Sequence, residues 1–367
     1  GTKGKGSVSE LLRSALGPKV GCFTSPHLHG CRERIRVGDE PISVDALRRH
    51  GATALDLSDQ MKADAWGCVF FDRLLATALL HFGEEACDKL VLEAGVGGVH
   101  DSTNFFTEAE LELAVITSIS LDHTALLGDS LREIATNKAG VLRPHCRAVT
   151  PSTQPPEALE ALQSEADRVG AELIIVDCSG TSEWDTKREN RLLAAKACSL
   201  LNVEADFSSS RWPARFEEIY VNGRLVIVDA AHNGDSVAKF LEAAHMKFPS
   251  TEFTVVFGCG AEKEGLGDMV DAVRPFSENV VCVEAGSSFA DRPLPPSKRG
   301  EPAPLLAARV GSKHASSVAA ALSSSNGPVL VCGSVYVAGE AREWCVTEDP
   351  ACLPTDDWAF TLRDDML

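Results

Sequence analysis

The sequence predicts an α/β protein of two domains: a P-loop-type domain on a mostly parallel sheet, followed by a smaller Rossmann-like α/β domain. Three observations carry this reading. Short apolar runs alternate with helical patterns, the signature of parallel strands joined by crossover helices. The chain has 367 residues, 44% of them hydrophobic, more than one core usually organises. Its first residues, Gly1-Thr2-Lys3-Gly4-Lys5-Gly6-Ser7-Val8, form a glycine-rich loop of the kind that turns backbone N–H groups onto phosphate oxygens. Lys5 adds a compact cation. A strict P-loop has Ser or Thr directly after this lysine, and Gly6 takes that place. The strand such a loop would follow is missing ahead of Gly1, so the chain reads as a fragment.

In the first domain, expected over residues 1–210, the candidate strands are Val20–Phe23, Lys89–Glu93, Ala114–Ser118, Ala148–Thr150 and Glu172–Val176. Phe70–Phe82 reads as an amphipathic helix, and Glu157–Val169 as a second, stopped by Gly170. After Ser208-Ser209-Ser210 a new series opens the second domain, residues 211–367. Its strands are Arg224–Asp229, Phe253–Phe257, Val280–Glu284 and Pro328–Cys332, with helices near Ser236–Lys247, Leu266–Val273 and Ser316–Ser323. The proline-rich Ala290–Pro304 reads as a surface loop, and Asp349–Leu367 as a weakly patterned tail.

Composition narrows the function classes. A formal charge of −18 argues against nucleic acid, whose backbone is held by basic faces. Lys3, Lys5, Arg32, Arg34 and Arg36 nevertheless concentrate positive charge close to the loop. No apolar run reaches the ~18 residues of a membrane span. Twelve cysteines include no C-x-x-C pair and sit mostly in apolar runs such as Val281-Cys282-Val283. That is the pattern of buried free thiols in a reducing compartment, not of a disulfide or zinc framework.

Four further segments put polar groups at predicted strand ends, where open α/β sheets bind ligands. Thr24-Ser25-Pro26-His27, followed by Arg32-Glu33-Arg34-Ile35-Arg36, suits a metal-bound phosphate and a carboxylate substrate; it reads equally as a solvated turn and an exposed basic strand. Glu93 ends an apolar strand and meets Ala94-Gly95-Val96-Gly97-Gly98, as a carboxylate holding a hard cation would. The bland reading is a strand-capping acid. Ser120-Leu121-Asp122-His123-Thr124 places His123 in the same manner. Asn137-Lys138-Ala139-Gly140, after a helix that begins near Ser130, offers a lysine as a point charge or as a modified neutral amine, although most helix lysines are simply solvated.

The order of these segments resembles the folylpolyglutamate synthase and dihydrofolate synthase family, a branch of the Mur ligases. The landmarks include the opening loop, Thr24–His27, Arg32–Ile35, Glu93–Gly98, Leu121–Thr124, Lys138-Ala139-Gly140, Trp212-Pro213-Ala214-Arg215, Asp229-Ala230-Ala231-His232-Asn233 and Gly333-Ser334-Val335-Tyr336. In that family the loop reads G-K-G-S, so the hydroxyl at Ser7 is expected, and Lys3 leans towards eukaryotic-type folylpolyglutamate synthases. The resemblance implies that Gly4, Lys5, Gly6 and Ser7 cradle ATP phosphates, and that Asn190, Arg215 and Asp229 reach the nucleotide. It also implies that Ser25, Glu93 and His123 surround Mg2+, that Arg34 meets the folate, and that Lys5, Lys138 and His232 are catalytic. Lys138 matches a lysine that family members carbamylate to hold a second metal, and a monovalent cation is left open.

The implied activity is ATP-dependent addition of glutamate to the terminal carboxylate of folate or folylpolyglutamate through an acyl phosphate. Dihydrofolate synthase activity, alone or in a bifunctional enzyme, is one alternative, and a ligation-deficient nucleotide-binding homologue another. A nucleotide-switch GTPase would need N-K-x-D, and Asn137-Lys138-Ala139-Gly140 lacks the final Asp. The expected protein is a monomer in the cytoplasm, with a mitochondrial form open, that binds neither nucleic acid nor membrane. Three departures from the family stand out. Ala214 replaces the glycine of W-P-G-R, Ala230 and Gly234 alter D-G-A-H-N-P, and no G-x-H-Q precedes Asn190 in Trp184-Asp185-Thr186-Lys187-Arg188.

Overall fold

The computed structural model describes residues 3–63, 68–180, 186–261, 265–286 and 300–357. Residues 1–2, 184–185, 290–299 and 358–367 of the segments named above lie outside that set. The chain divides into two compact units: the first holds Lys3–His27 and Cys31–Trp212, the second Leu28–Gly30 and Pro213–Leu367.

The first unit runs α1 (Lys5–Leu16), β1 (Val20–Phe23), β2 (Ile35–Val37), β3 (Glu40–Pro41), α2 (Val44–Ala63), α3 (Phe70–Glu84) and β4 (Lys89–Leu92). It continues with β5 (Leu113–Val115), α4 (Thr124–Leu127), α5 (Leu131–Ala139), β6 (Arg147–Pro151), α6 (Pro156–Val169), β7 (Glu172–Val176) and α7 (Thr186–Leu200). Local sequence explains the boundaries. Ser130 caps α5 through the Glu133 N–H, with Glu133 completing a capping box. Pro156 starts α6 without losing a hydrogen bond, and Gly170 ends it at φ 75°.

The strands of this unit form two sheets, ordered β3-β2-β1-β4 and β5-β6-β7. β1 and β4 run parallel, with Phe23 opposite Leu92. Their polar continuations, Thr24-Ser25 and Glu93, therefore leave the sheet side by side. β5, β6 and β7 are parallel throughout. Val8, Leu11 and Leu12 of α1 pack with Val20, Val91, Leu193 and Ala197 in one core. The edges β4 and β5 both line a cavity of about 440 Å³ closed on one side by α1.

The second unit runs β8 (Glu217–Val221), β9 (Arg224–Val228), α8 (Gly234–Lys247), β10 (Thr254–Phe257), α9 (Leu266–Val273) and β11 (Val280–Cys282). There follow α10 (Ala303–Val310), β12 (Lys313–His314), α11 (Val318–Ser324), β13 (Val329–Cys332) and α12 (Val335–Glu348). One six-stranded sheet, β12-β11-β10-β13-β9-β8, is parallel except for β8. Apolar cores cover both faces, as a parallel sheet requires.

One expectation is corrected here. The end of the proline-rich stretch is helical: Pro302 precedes α10 and Pro304 sits in its first turn, where a missing N–H costs nothing. The tail is anchored at two points, with Leu353 and Asp357 buried among mostly exposed neighbours. Asp357 owes this to Arg342, whose guanidinium is wholly buried and donates to Asp357 Oδ1 and Oδ2 at 2.7 Å and to Glu217 Oε2 at 2.8 Å. Burial would push the Arg342 proton off, but the two carboxylates reverse that and raise its pKa.

All twelve cysteines are free, and eight are buried. Burial pushes the Cys259 thiol up to about 12 and the Cys22 thiol up to about 11.

Candidate active site

The phosphate loop runs directly into α1, whose first turn carries no acidic residue. Its N-terminal amides and positive dipole end are thus set for an anion. Gly4 has φ 91°, and a Cβ there would lie 2.0 Å from Asn190 Oδ1. A Cβ on Gly6 would lie 2.5 Å from the Trp212 ring. The loop is therefore gripped from both sides, by α7 and by the last residue of the unit. Asn190, which the resemblance places at the nucleotide, lies against the loop at Gly4. Trp212 was legible only as a landmark, since nothing local marks an indole as the partner of a glycine some two hundred residues away.

Trp212 is held in turn by Arg36, whose guanidinium lies 5.7 Å from the ring centroid. Arg36 donates to Glu10 Oε2 at 2.7 Å, and Glu10 also accepts from Arg13 at 2.8 Å and from the Arg211 N–H at 3.0 Å. Burial alone would raise the Glu10 carboxyl, yet Arg13, Arg36 and the Arg211 amide lower it below the ordinary value. This corrects the expected basic cluster. Arg36 is 2% exposed and committed to Glu10, and Arg32 donates to the Ile42 carbonyl at 2.5 Å. Arg34 donates to His27 Nδ1 at 3.0 Å and lies over the Phe70 ring.

The strand-end groups meet as the topology demands. Glu93, 2% exposed, accepts from the Ser25 N–H at 2.9 Å. The glycine turn after Glu93 is tied to α5 by Gly98 N–H to Asn137 Oδ1 at 3.1 Å. That contact draws in Lys138, whose pKa falls to about 8, first through burial and then through the charge of Lys5. Asp122 and Asp101 pull the other way. His123, at φ 53°, precedes α4 and follows Asp122 in the chain. Ser120 Oγ is buried without a hydrogen-bond partner among the described residues.

The oxygen donors of Ser25 and Glu93 suit a hard cation such as Mg2+, which takes few protein ligands and completes its shell with water and phosphate. Among the described residues, the group of three His, Cys, Asp or Glu donors lying within 4.8 Å of one another is His50, His81 and Glu84, on α2 and α3. Its carboxylate is already paired with Arg49 at 2.6 and 2.8 Å.

In the second unit, Asp229 follows β9 and accepts from the N–H groups of Phe216 and Ala231 at 2.7 and 2.8 Å. His232 Nδ1 meets the Ala230 carbonyl at 2.9 Å, which makes Nε2 the basic nitrogen of the neutral ring. Arg215 donates to the Ala214 carbonyl at 2.8 Å, while its Nε is buried with no protein partner among the described residues. Ala214 has φ 51°, the left-handed region that glycine enters without strain. At Gly234 a Cβ would stand 2.4 Å from Asp268 Cβ, a physical reason for glycine where proline is usual.

A glycine-rich loop opens α1 in one unit, and residues 214–335 of the other match the glutamate ligase domain of the Mur ligases. A dihydrofolate synthase/folylpolyglutamate synthase of Bacillus subtilis is 31% identical over 72% of this chain and 70% of its own length. The chain belongs to the folylpolyglutamate synthase/dihydrofolate synthase family. A probable bifunctional folylpolyglutamate synthase/dihydropteroate synthase of Haloferax volcanii is also 31% identical, over 93% of this chain, which spans only 45% of that relative's length. The structure of E. coli FolC in complex with DHPP and ADP superposes with TM-score 0.77 at 25% identity, covering 93% of this chain and 86% of its own.

Proposed function

We infer that this chain is an ATP-dependent ligase that adds glutamate to the terminal carboxylate of folate or folylpolyglutamate. The observation that carries the reading is a glycine loop opening α1 beside a buried strand-end carboxylate, in a chain whose second unit matches the glutamate-ligase domain. A carboxylate is a poor electrophile. Transfer of the γ-phosphoryl group to it gives an acyl phosphate, from which the amine of glutamate displaces phosphate.

In this proposal the amides of Gly4–Ser7 and the Lys5 ammonium hold the phosphates, and charge on the transferring group is met by Lys5. Magnesium would be held by Ser25 and Glu93, with His123 at its edge, and would neutralise phosphate charge. Lys138 has its pKa lowered to about 8 by burial and by the charge of Lys5, so its amine is partly neutral near pH 8 and open to carbamylation. Arg34 is proposed for the folate. Arg215, with an orphaned Nε, Asp229 and His232 are proposed as the second unit's contributions to nucleotide binding and catalysis.

The test is phosphate release from ATP that depends jointly on a folate and on glutamate, with tetrahydrofolate and dihydropteroate compared as acceptors. ATP consumption indifferent to glutamate would sink the assignment. Lys5→Ala should lose turnover by on the order of a hundredfold or more while keeping its circular dichroism.

A further inference from the structure

Away from the phosphate loop, imidazole and carboxylate donors gather between the helices α2 and α3. His81 and Glu84, three residues apart near the end of α3, share one face of that helix, and His50 of α2 reaches across to them. One donor atom from each lies within 4.8 Å of the others. His50 Nε2 and Glu84 Oε2 already stand at 2.7 Å.

The buried member carries the argument. His81 is 6% exposed, and its Nδ1 is buried with no hydrogen-bond partner among the described residues. A polar atom in that position is costly unless something else satisfies it. Glu85 Oε1 stands 4.0 Å from it, too far for a hydrogen bond. Burial is the main cause that lowers the His81 pKa; His50 and Arg49 add to it, while Glu85 and Glu84 oppose it. The ring is therefore neutral at pH 7, as a metal ligand must be.

Two imidazoles and a carboxylate suit a borderline ion such as Zn2+, whereas Mg2+ and Ca2+ favour oxygen alone. Tetrahedral ligands on zinc stand about 3.4 Å apart, so His50 Nε2 and Glu84 Oε2 would part by roughly 0.7 Å. Glu84 can make that move, because its side chain is 45% exposed. Arg49 now donates to both Glu84 oxygens, at 2.6 and 2.8 Å. Its own side chain is 54% exposed, and ion pairs this open to water hold weakly. The last turn of α3 also favours a cation, since the helix dipole is negative there.

We propose that His50, His81 and Glu84 form a Zn2+ site that clamps α2 to α3, with water completing the shell and Arg49 displaced from Glu84. Its role is structural. Asp72, which accepts from the Ser102 hydroxyl in the segment after β4, lies nine residues before His81 on α3, about 14 Å along the helix. The clamp thus fastens the far end of the helix whose near end supports the turn after Glu93.

The test strips the chain with a chelator and titrates it with Zn2+ alone or Mg2+ alone, read by calorimetry and amide hydrogen exchange. Zn2+ should raise the melting temperature and slow exchange around His50 and in the last turn of α3 by roughly tenfold or more; Mg2+ should do neither. His50→Gln and Glu84→Gln remove a ligand without emptying the core, and each should weaken this binding by on the order of a hundredfold. Arg49→Gln should tighten it by up to about fivefold, because the ion no longer competes with a guanidinium. Protection by Zn2+ that is absent from α2 and α3, survives both ligand variants or is matched by Mg2+ would overturn the proposal, as would weaker binding in Arg49→Gln. This readout needs no turnover, so it stands apart from the ligase assignment.

Discussion

Gly6→Ala is the sharpest perturbation of the phosphate loop, because two known effects oppose each other there. Gly6 lies in the first turn of α1, and alanine should favour the helix by up to about 1 kcal/mol. The new methyl, however, would stand 2.5 Å from Cζ2 and 2.9 Å from Cε2 of the Trp212 indole. A rigid ring cannot rotate away by its tip. It must retreat, and that disturbs its contact with Arg36, 5.7 Å from the ring centroid and itself fixed to Glu10 at 2.7 Å, while the preceding Arg211 N–H is fixed to the same Glu10 at 3.0 Å. Overpacking of this kind costs about 1–3 kcal/mol, and loss of the Arg36 contact adds about 0.5–1 kcal/mol. The net expectation is a destabilisation of about 1–2 kcal/mol, a fall in melting temperature of roughly 3–6 °C for a unit of this size. Calorimetry of wild type, Gly6→Ala, Trp212→Ala and the double variant measures it. In the Trp212→Ala background the sign should invert, with Gly6→Ala stabilising by its helix preference. A Gly6→Ala protein that is destabilised equally in both backgrounds would refute the packing argument.

Other expectations follow from single contacts. Glu93→Gln keeps an acceptor for the Ser25 N–H but removes the charge, and should lower glutamate-dependent ATP turnover by on the order of a hundredfold with an unchanged melting temperature; full activity would remove Glu93 from the metal site. Lys138 is protonated below its pKa of about 8 and neutral above it, so activity that needs the neutral or carbamylated amine should climb as pH rises through that value and respond to added bicarbonate. A flat pH profile over that range, insensitive to bicarbonate, would count against it. Arg342→Met leaves the Glu217 and Asp357 carboxylates facing an apolar side chain and should cost about 3–5 kcal/mol in denaturant unfolding; a loss below 1 kcal/mol would show that the second unit does not depend on this cluster.

Much of the fold was legible because its strands are short apolar runs bounded by turn residues. Val20–Phe23, Glu172–Val176 and the helix Leu266–Val273 lie where the sequence places them. Ala114–Ser118 was read too long: β5 ends at Val115, and Ser118 turns its hydroxyl to Glu189 at the start of α7. The long helix α2 gave little signal, since its apolar residues are diluted by Arg, His and Asp. Of the site, the strand-end groups Ser25 and Glu93 were legible from topology alone, because parallel neighbours release their polar continuations together. What sequence did not reveal is non-local. Arg36 reads as one more cation near the loop until Glu10 is seen beside it, and nothing local to Asn190 shows that its amide lies against Gly4.

The inaccessible thiols divide evenly between the units, Cys22, Cys146, Cys178 and Cys198 in the first and Cys259, Cys282, Cys332 and Cys345 in the second. Each half of the molecule consequently carries its own silent labels, chemically inert until its interior opens. Alkylation followed by peptide mass spectrometry would time the opening of the first unit and of the second independently, in one sample and with no engineered probe.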